Sequence, residues 1–545
     1  MDFLKLSNLL FPGIKESPEY YEEKYPPRNL PEGAKVTRFA PSPTGFMHIG
    51  NIYSSFVDFL VAKPEGVFYL RIEDTDQKRE VEGGIEKILS GLASLDIFPS
   101  EGPAFDGGET GAYGPYKQRG RCEIYRCFAN ELVKKGFAYP CFCTEEELGA
   151  LRENQEKDGE NPGYYGKWAN CREMNFAAIE NNIKNGRPYV LRLRSDGDEN
   201  KKIVVEDLIK GKLEMPENTQ DIVLLKTDGI PTYHFAHAVD DHLMRTTHVI
   251  RGDDWVSSLP IHIQLFRMLG FKPPKYAQYS NLMKMDGASK RKLSKRKDPE
   301  AAVSFYFEQG YPKESLIEYL LTIMNSNFED WRRANRNEII DRFPFALKKM
   351  SPSGALFDLA KLNDISKTVI SLMPADEVYQ NALNWAKEYD EELFALFSND
   401  PDYAKAILAI DRDVPKPRKD IERWGQVKDY LSYFYESLFA PCRDLPENIS
   451  KADADAIIKN YMEVYDESDG KEGWFNKIKS ICGPLGFSPD VKEYKKNPES
   501  YKGHVGDVSS VIRAAATGRL NTPDLYEIMK LLGKDRLLKR LETFL

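Results

Sequence analysis

From Val36 onward the chain alternates short apolar runs with segments of helical spacing, breaks that alternation for most of a hundred residues, and then resumes it. Val36–Ala40 is a strand-like run that stops at the turn Pro41-Ser42-Pro43-Thr44-Gly45. Apolar residues at Ile52, Phe56, Phe59 and Leu60 then give helical spacing across Asn51–Ala62. Val67–Ile72 reads as a second strand, and Ile85–Leu95 as a second helix with Ile85, Ile88, Leu89 and Leu92 on one face. Strands joined through helices pair in parallel. Between Cys122 and Met215 the pattern changes to a cysteine pair, a polar run at Glu153–Pro162 and an isolated strand-like piece at Tyr189–Leu193. The alternation returns with Ile222–Leu225, Thr247–Arg251, the helix Val256–Leu269 and the run Lys275–Leu282. The simplest fold is an α/β one, a parallel sheet interrupted by an inserted module and then continued.

Beyond about Ala301 strand signals nearly vanish and apolar residues fall three or four apart, as at Leu316, Tyr319 and Leu320 or Leu525, Ile528, Leu531 and Leu532. An all-helical half of two subdomains is expected over 301–545. Its last helix is expected to start at Thr522-Pro523-Asp524, with Thr522 as the capping hydroxyl. Residues 1–34 read as an irregular extension. A hydrophobic content of 41% suffices for packed cores and excludes a disordered chain. No run of about 18 apolar residues exists to span a bilayer. Met1-Asp2-Phe3-Leu4-Lys5 shows no basic stretch leading into a long apolar run, so no secretory leader is expected. Seven cysteines in 545 residues suit a reducing interior, and the expected location is cytoplasmic. The formal charge of −9 argues mildly against a general polyanion binder, though local basic surface decides such binding.

Two segments carry phosphate chemistry. His48-Ile49-Gly50-Asn51 falls between the first strand and the first helix, where ligands of doubly wound sheets sit and where helix N-termini attract phosphate. The alternative for His48 is a plain helix cap. Lys292-Leu293-Ser294-Lys295-Arg296 lies in Lys284–Asp298, which holds seven Lys/Arg against two Asp. Gly287 and Ser289 suggest a mobile loop, and clustered cations there suit a transferring phosphate. A solvated basic loop is the ordinary alternative.

Arg38-Phe39-Ala40-Pro41-Ser42-Pro43-Thr44-Gly45 with His48-Ile49-Gly50 resembles the first signature of class I aminoacyl-tRNA synthetases, and Lys292–Arg296 the second. Arg71–Asp76, Gly114–Arg119 and Val239–Met244 are similar to stretches typical of glutamyl-tRNA synthetases. The helical C-terminal half looks like the bacterial type. The resemblance implies a Rossmann-type catalytic domain in two halves, 35–120 and 221–300, around an acceptor-stem-binding insertion at 121–220. A helical stem-contact domain (301–375) and a helical anticodon-binding domain (376–545) would follow.

It further implies that ATP, with Mg²⁺, binds between the signatures. His48, Gly50, Asn51, Lys295 and Arg296 would meet ATP, and His48, Lys292 and Lys295 would carry the catalytic charge. Arg38, Ser42, Glu73, Tyr233 and Arg251 match the glutamate-site residues, Glu73 as the acid that holds the amino group. His237 stands near the place where the family commonly carries an asparagine. A surface acid pair is the alternative for Glu73 and Asp74. L-glutamate would be activated to glutamyl-adenylate and passed to the 3′-terminal adenosine of tRNA-Glu by a monomer. Alternatives are a form that also charges tRNA-Gln, and a tRNA-binding protein without catalysis.

Cys141-Phe142-Cys143 and Cys171, 28 positions further on, offer three soft ligands, and structural zinc wants four. Some family members hold zinc here with a tyrosine or third cysteine and a histidine. This chain has Glu173 where that histidine would fall, and Tyr164 or Tyr165 as further candidates. An unligated, degenerate site is the alternative. In the C-terminal half Lys416, Arg418, Lys419, Arg423 and Trp424, followed by Tyr430, Tyr433, Phe434 and Tyr435, mix cations with stacking rings as anticodon recognition requires. A helical core with a basic rim reads equally well.

Overall fold

The computed structural model describes residues 1–45, 47–76, 80–294, 296–442 and 444–545. The chain divides into one unit formed by Met1–Phe305 with Leu320–Asp358 and a second formed by Tyr306–Tyr319 with Leu359–Leu545.

In the first unit, strand Val36–Phe39 pairs in parallel with Val67–Leu70, and strand His248–Gly252 pairs in parallel with Lys275–Tyr279. The two pairs adjoin where the Thr247 N–H donates to the Val36 carbonyl at 3.0 Å. The sheet thus joins strands that lie more than two hundred residues apart. Helices Ile49–Ala62, Tyr233–Leu243 and Leu259–Leu269 connect or flank these strands; apolar spacing signals the first and the third, and the second was not expected. Their inward residues, among them Ile52, Val57, Phe235, Val239 and Phe266, are almost fully buried.

The insertion has a sheet of its own. Ala138–Cys141 pairs antiparallel with Val190–Leu193, which pairs antiparallel with Val223–Leu225. Strand Ala138–Cys141, the helices Glu145–Lys157 and Phe176–Lys184 and the antiparallel ribbon of Lys202–Asp207 with Gly211–Pro216 were not expected here, and the run Ile222–Leu225, expected to resume the parallel sheet, closes the insertion's sheet instead. One face of the ribbon packs Ile203, Val205, Leu213 and Met215 against Val249, Leu259 and Tyr276, while the other turns Lys202, Val204, Lys212 and Glu214 to water.

Residues 1–34 are not irregular. Asp2 caps a helix at Phe3–Leu10, and Ser17, followed by Pro18 in the first turn, caps a second at Pro18–Lys24. Leu6, Leu10, Tyr21 and Tyr25 join the main apolar core. Arg28 grips Glu101 through both terminal nitrogens at 2.6 and 2.9 Å, and Glu22 receives His242 at 2.6 Å and Arg245 at 2.7 Å.

The second unit is helical and contains two apolar cores. One gathers Val378, Leu393, Phe397, Ile407 and Trp424; the other gathers Ile457, Ile478, Val508, Ile512 and Leu541. Helix Leu525–Leu532 serves both, giving Ile528 and Leu532 to the first and Leu525 and Met529 to the second. Its cap is Asp524, which accepts from the Glu527 N–H at 3.1 Å; the expected cap Thr522 is instead engaged by Arg513. It is also followed by a further helix, Lys534–Phe544. Trp424, Tyr433 and Phe434 are core residues, and Arg418 is tied to Asp420 at 2.6 Å, so this stretch reads as a core with a basic rim.

Candidate active site

The first helix of the sheet begins at His48. Its Nδ1 accepts the Gly50 N–H at 2.9 Å, while Asn51 Oδ1 accepts the His48 N–H at 3.2 Å, a reciprocal cap of the helix start. Because Nδ1 accepts, a neutral ring carries its proton on Nε2, a donor suited to a phosphate oxygen. A Cβ on Gly50 would lie 3.0 Å from that Nδ1, so any side chain there would press on the imidazole.

At the carboxyl ends of the neighbouring strands the chain brings together Arg38, Glu73, Tyr233 and Arg251. Arg38 Nε lies 3.2 Å from Asp241, and Arg71 NH1 lies 2.7 Å from the same carboxylate. Arg71 reaches Glu73 at 3.4 Å, and the Glu73 N–H donates to the Pro41 carbonyl, which places the acid over the end of the first strand. Arg251 donates to the Tyr233 hydroxyl at 3.1 Å, and the Tyr233 ring lies 4.1 Å from that of Trp255. Glu73 and Asp74 are no surface pair. Glu73 is only 12% exposed, and Asp74, which accepts the Arg119 N–H, is buried.

Burial opposes the charge of Asp241, yet Arg38 and Arg71 hold its carboxylate well below the usual range. Glu73 goes the other way: burial pushes it up to about 7, with Arg71 and Arg38 pulling against the rise. A second buried acid, Asp240, takes Arg121 at 2.6 Å, Tyr125 at 2.7 Å and Gln118 at 2.9 Å. This layer of Asp240, Asp241, Arg71 and Arg121 went unassigned in the sequence, although its acids sit in a recognised stretch, because their partners lie more than a hundred positions away. His262 and Trp255 were missed although Arg251, His234 and Tyr233 lie within about thirty positions of them, because no local pattern marks a ring that packs against an arginine.

His237 departs from its expected place in the glutamate pocket. It is fully buried, with Nδ1 2.6 Å from Asp241 and Nε2 3.1 Å from the Tyr276 hydroxyl, so it packs beneath the arginines. Ser42 lies exposed on the turn after the first strand.

The basic segment is more ordered than a mobile loop. Met283–Asp286 and Ser289–Lys292 form an antiparallel hairpin that turns at Gly287, whose φ of 60° favours glycine. Asp298 gathers Arg291 through both terminal nitrogens, at 2.6 and 2.7 Å, together with Lys284 at 3.3 Å. Lys292 is exposed and pairs with Asp254 at 2.7 Å, next to Trp255. Arg296 is exposed, and Lys295 lies outside the described residues. An antiparallel bridge between His48 and Ala302, with the Val303 N–H on the Met47 carbonyl, brings the end of this segment beside the first motif.

In the insertion the Cys141, Cys143 and Cys171 sulfurs lie within 4.8 Å of one another, the one such cluster of metal-ligating side chains among the described residues. The Tyr164 hydroxyl is 3.4 Å from Cys141 Sγ and 3.3 Å from Cys143 Sγ. Hydrogen bonds from Cys143 and Cys171 push the Cys141 thiol down, toward the thiolate a metal requires. Glu173 points elsewhere, to Arg194 at 2.7 Å, and Tyr165 bonds the Asn161 carbonyl.

A split parallel sheet with a histidine-capped helix at its carboxyl edge and a basic hairpin beside it defines a class I aminoacyl-tRNA synthetase. A family model described as tRNA synthetases class I (E and Q), catalytic domain, matches residues 35–364, and one described as anticodon binding domain matches residues 494–545. Glutamate–tRNA ligases of Clostridium perfringens and Acetivibrio thermocellus are each 50% identical, over 100% of this chain and 100% of their own. The crystal structure of a glutamate tRNA ligase from Elizabethkingia meningosepticum, in complex with its amino acid, is similar at a TM-score of 0.73 and 26% identity, covering 94% of this chain and 99% of that one. The chain belongs to the glutamate–tRNA ligase family.

Proposed function

We propose that this chain joins L-glutamate to tRNA in two steps at the carboxyl edge of the split sheet, with the arginines and Glu73 as its amino-acid pocket. The glutamate carboxylate attacks the α-phosphorus of ATP, giving glutamyl-adenylate and pyrophosphate. A hydroxyl of the tRNA terminal adenosine then attacks the mixed anhydride and releases AMP. Neither step needs a protein nucleophile, so positioning and charge placement carry the catalysis.

One observation carries this reading: Arg38, Glu73 and Arg251, from three segments distant in sequence, are held at one strand edge by Asp241, Arg71 and Tyr233. Guanidinium suits carboxylate bidentately, and an ionised Glu73 suits the substrate ammonium. His48 Nε2–H and the cations of the 292–296 segment would meet the triphosphate, and Gly50 leaves room for a flat base. Mg²⁺ comes with ATP and neutralises phosphate charge; the described residues gather no acidic cage for it.

Cys141, Cys143 and Cys171, with Tyr164 as the fourth donor, fit a zinc ion by donor type and spacing, and zinc bound there would stiffen the insertion that holds the tRNA acceptor end. Metal analysis is expected to find close to one zinc per chain, and Cys143→Ser to lower it.

The deciding experiment is ATP–pyrophosphate exchange with glutamate or glutamine, each with and without tRNA. Exchange with glutamate that requires tRNA is the expected result. Exchange with glutamine would overturn the pocket assignment of Arg38 and Arg251, and no exchange from folded protein would favour tRNA binding without catalysis.

A further inference from the structure

Arg251 is aimed by more than Tyr233. Its NH2 lies 3.0 Å from Nδ1 of His262, a buried residue of helix Leu259–Leu269, and the opposite nitrogen of that ring, Nε2, lies 3.0 Å from Nδ1 of His234. An arginine only donates, so Nδ1 of His262 must accept, and the His262 proton sits on Nε2. That proton is donated to Nδ1 of His234, which leaves the His234 proton on Nε2. One guanidinium therefore fixes the tautomer of two imidazoles in series. Both rings are kept neutral: burial takes His262 well below its ordinary value and His234 down to about 4, with Arg251 adding to each shift. His237 closes the assembly from the side, its ring edge-on to His262 at 4.5 Å and anchored between Asp241 and Tyr276. The Tyr276 ring lies 5.1 Å from the Arg251 guanidinium, and the Arg251 Nε–H has no hydrogen-bond partner among the described residues.

We infer that His262, backed by His234, is a positioning residue that turns the Arg251 guanidinium toward the carboxylate of the bound amino acid. The inference rests on Arg251 serving as a carboxylate anchor. A guanidinium held on one side by a fixed acceptor presents its remaining N–H groups in one plane, which bidentate capture of a carboxylate requires. Without the acceptor, the side chain keeps its charge and loses its direction.

Three replacements of His262 separate direction from bulk. His262→Asn keeps an acceptor oxygen at the Nδ1 position, His262→Gln moves it to the Nε2 position, and His262→Phe keeps the ring without an acceptor. In aminoacylation assays, Phe and Gln are expected to raise KM for glutamate by about tenfold or more, the scale of one lost charged hydrogen bond, with KM for ATP within about twofold. Asn is expected to stay within about threefold of the native protein. Arg251→Lys is the control for the anchor and should raise KM for glutamate at least as far as His262→Phe.

If Arg251→Lys raises that KM and neither His262→Phe nor His262→Gln does, the positioning role falls and the pocket stands. If Arg251→Lys leaves KM for glutamate unchanged, the pocket reading falls and takes the inference with it. A loss confined to kcat, or Asn as poor as Gln, would mean His262 is merely structural. Should the Phe variant not fold, the Asn–Gln pair decides alone.

Discussion

The same four-residue device occurs twice in this chain, once at His48-Ile49-Gly50-Asn51 in the sheet unit and once at His504-Val505-Gly506-Asp507 in the helical one. Each histidine accepts the N–H two residues on, at 2.9 and 3.0 Å, and each fourth residue takes the histidine N–H, at 3.2 and 2.8 Å. Both rings therefore hold Nδ1 as an acceptor and, when neutral, carry the proton on Nε2. What differs is the neighbourhood. His48 follows a parallel strand and lies beside the segment that ends the basic hairpin, whereas His504 meets the edge of Tyr494 and starts the apolar helix Val505–Thr517. The motif by itself is a helix cap, and chemistry comes from what stands opposite the second nitrogen.

The sharpest way to break this comparison is to remove both rings. His48→Ala is expected to lower kcat for aminoacylation by roughly 10²- to 10³-fold, as loss of a preorganised donor to a developing charge does, while His504→Ala stays within about twofold. Both should lower stability by the same ~1 kcal/mol of a lost cap, read from denaturant melts. Comparable activity losses in the two variants would mean that His48, too, acts only as a cap.

A smaller effect separates the neighbourhoods by pH. In the free protein Glu73 stays protonated up to about 7. Its hold on an ammonium, and with it kcat/KM for glutamate, should therefore rise through a midpoint near 7; Glu73→Gln should flatten this limb at a low value, and His504→Ala should keep it. Stability runs the opposite way. The folded state binds this proton more tightly than the unfolded chain, so the Glu73 contribution is greatest below the ordinary carboxyl value of 4.5 and is lost as pH rises from there to about 7. Chemical denaturation across that range in native and Glu73→Gln protein checks the sign.

The smallest effect concerns the glycines. A Cβ at Gly50 meets His48 Nδ1 at 3.0 Å, and one at Gly506 meets His504 Cε1 at 2.6 Å. Alanine at either site gains helix propensity and disturbs the cap, so stability should move by less than about 1 kcal/mol in both. Only Gly50→Ala should raise KM for ATP, by about tenfold, the scale of ~1.4 kcal/mol.

What could be read from sequence follows the reach of each signal. The strands and the helix after His48 declared themselves because apolar spacing is local, and the residues of the proposed pocket came from the resemblance alone. His504 was passed over, although its four residues repeat the first motif, because no strand or glycine-rich turn precedes it. The ribbon at 202–216 was passed over although Ile203, Val205, Leu213 and Met215 share one packed face, because each apolar run is only two or three residues long and the exposed Val204 blurs the alternation. The pairing of Asp240 with Arg121 spans 119 positions, beyond any window of sequence, whereas His262 lies only 11 positions from Arg251 and 28 from His234 and was missed because apolar spacing does not tell which ring meets which guanidinium. The basic segment misled in another way: Asp298, counted only as one acid among seven cations, folds two of them into a hairpin.

The N-terminal helices have a consequence in time. Leu6 and Leu10 are covered by a core that includes Phe128 and Leu132, and Arg28 also bonds the Met244 carbonyl. At about 5–20 residues per second, Met244 is made roughly ten to forty seconds after Arg28. During synthesis the first helix must wait, with its apolar face uncovered, until the helix Cys122–Lys134 has followed it out of the ribosome, and the bonds of Glu22 and Arg28 to His242, Arg245 and Met244 can close only later still.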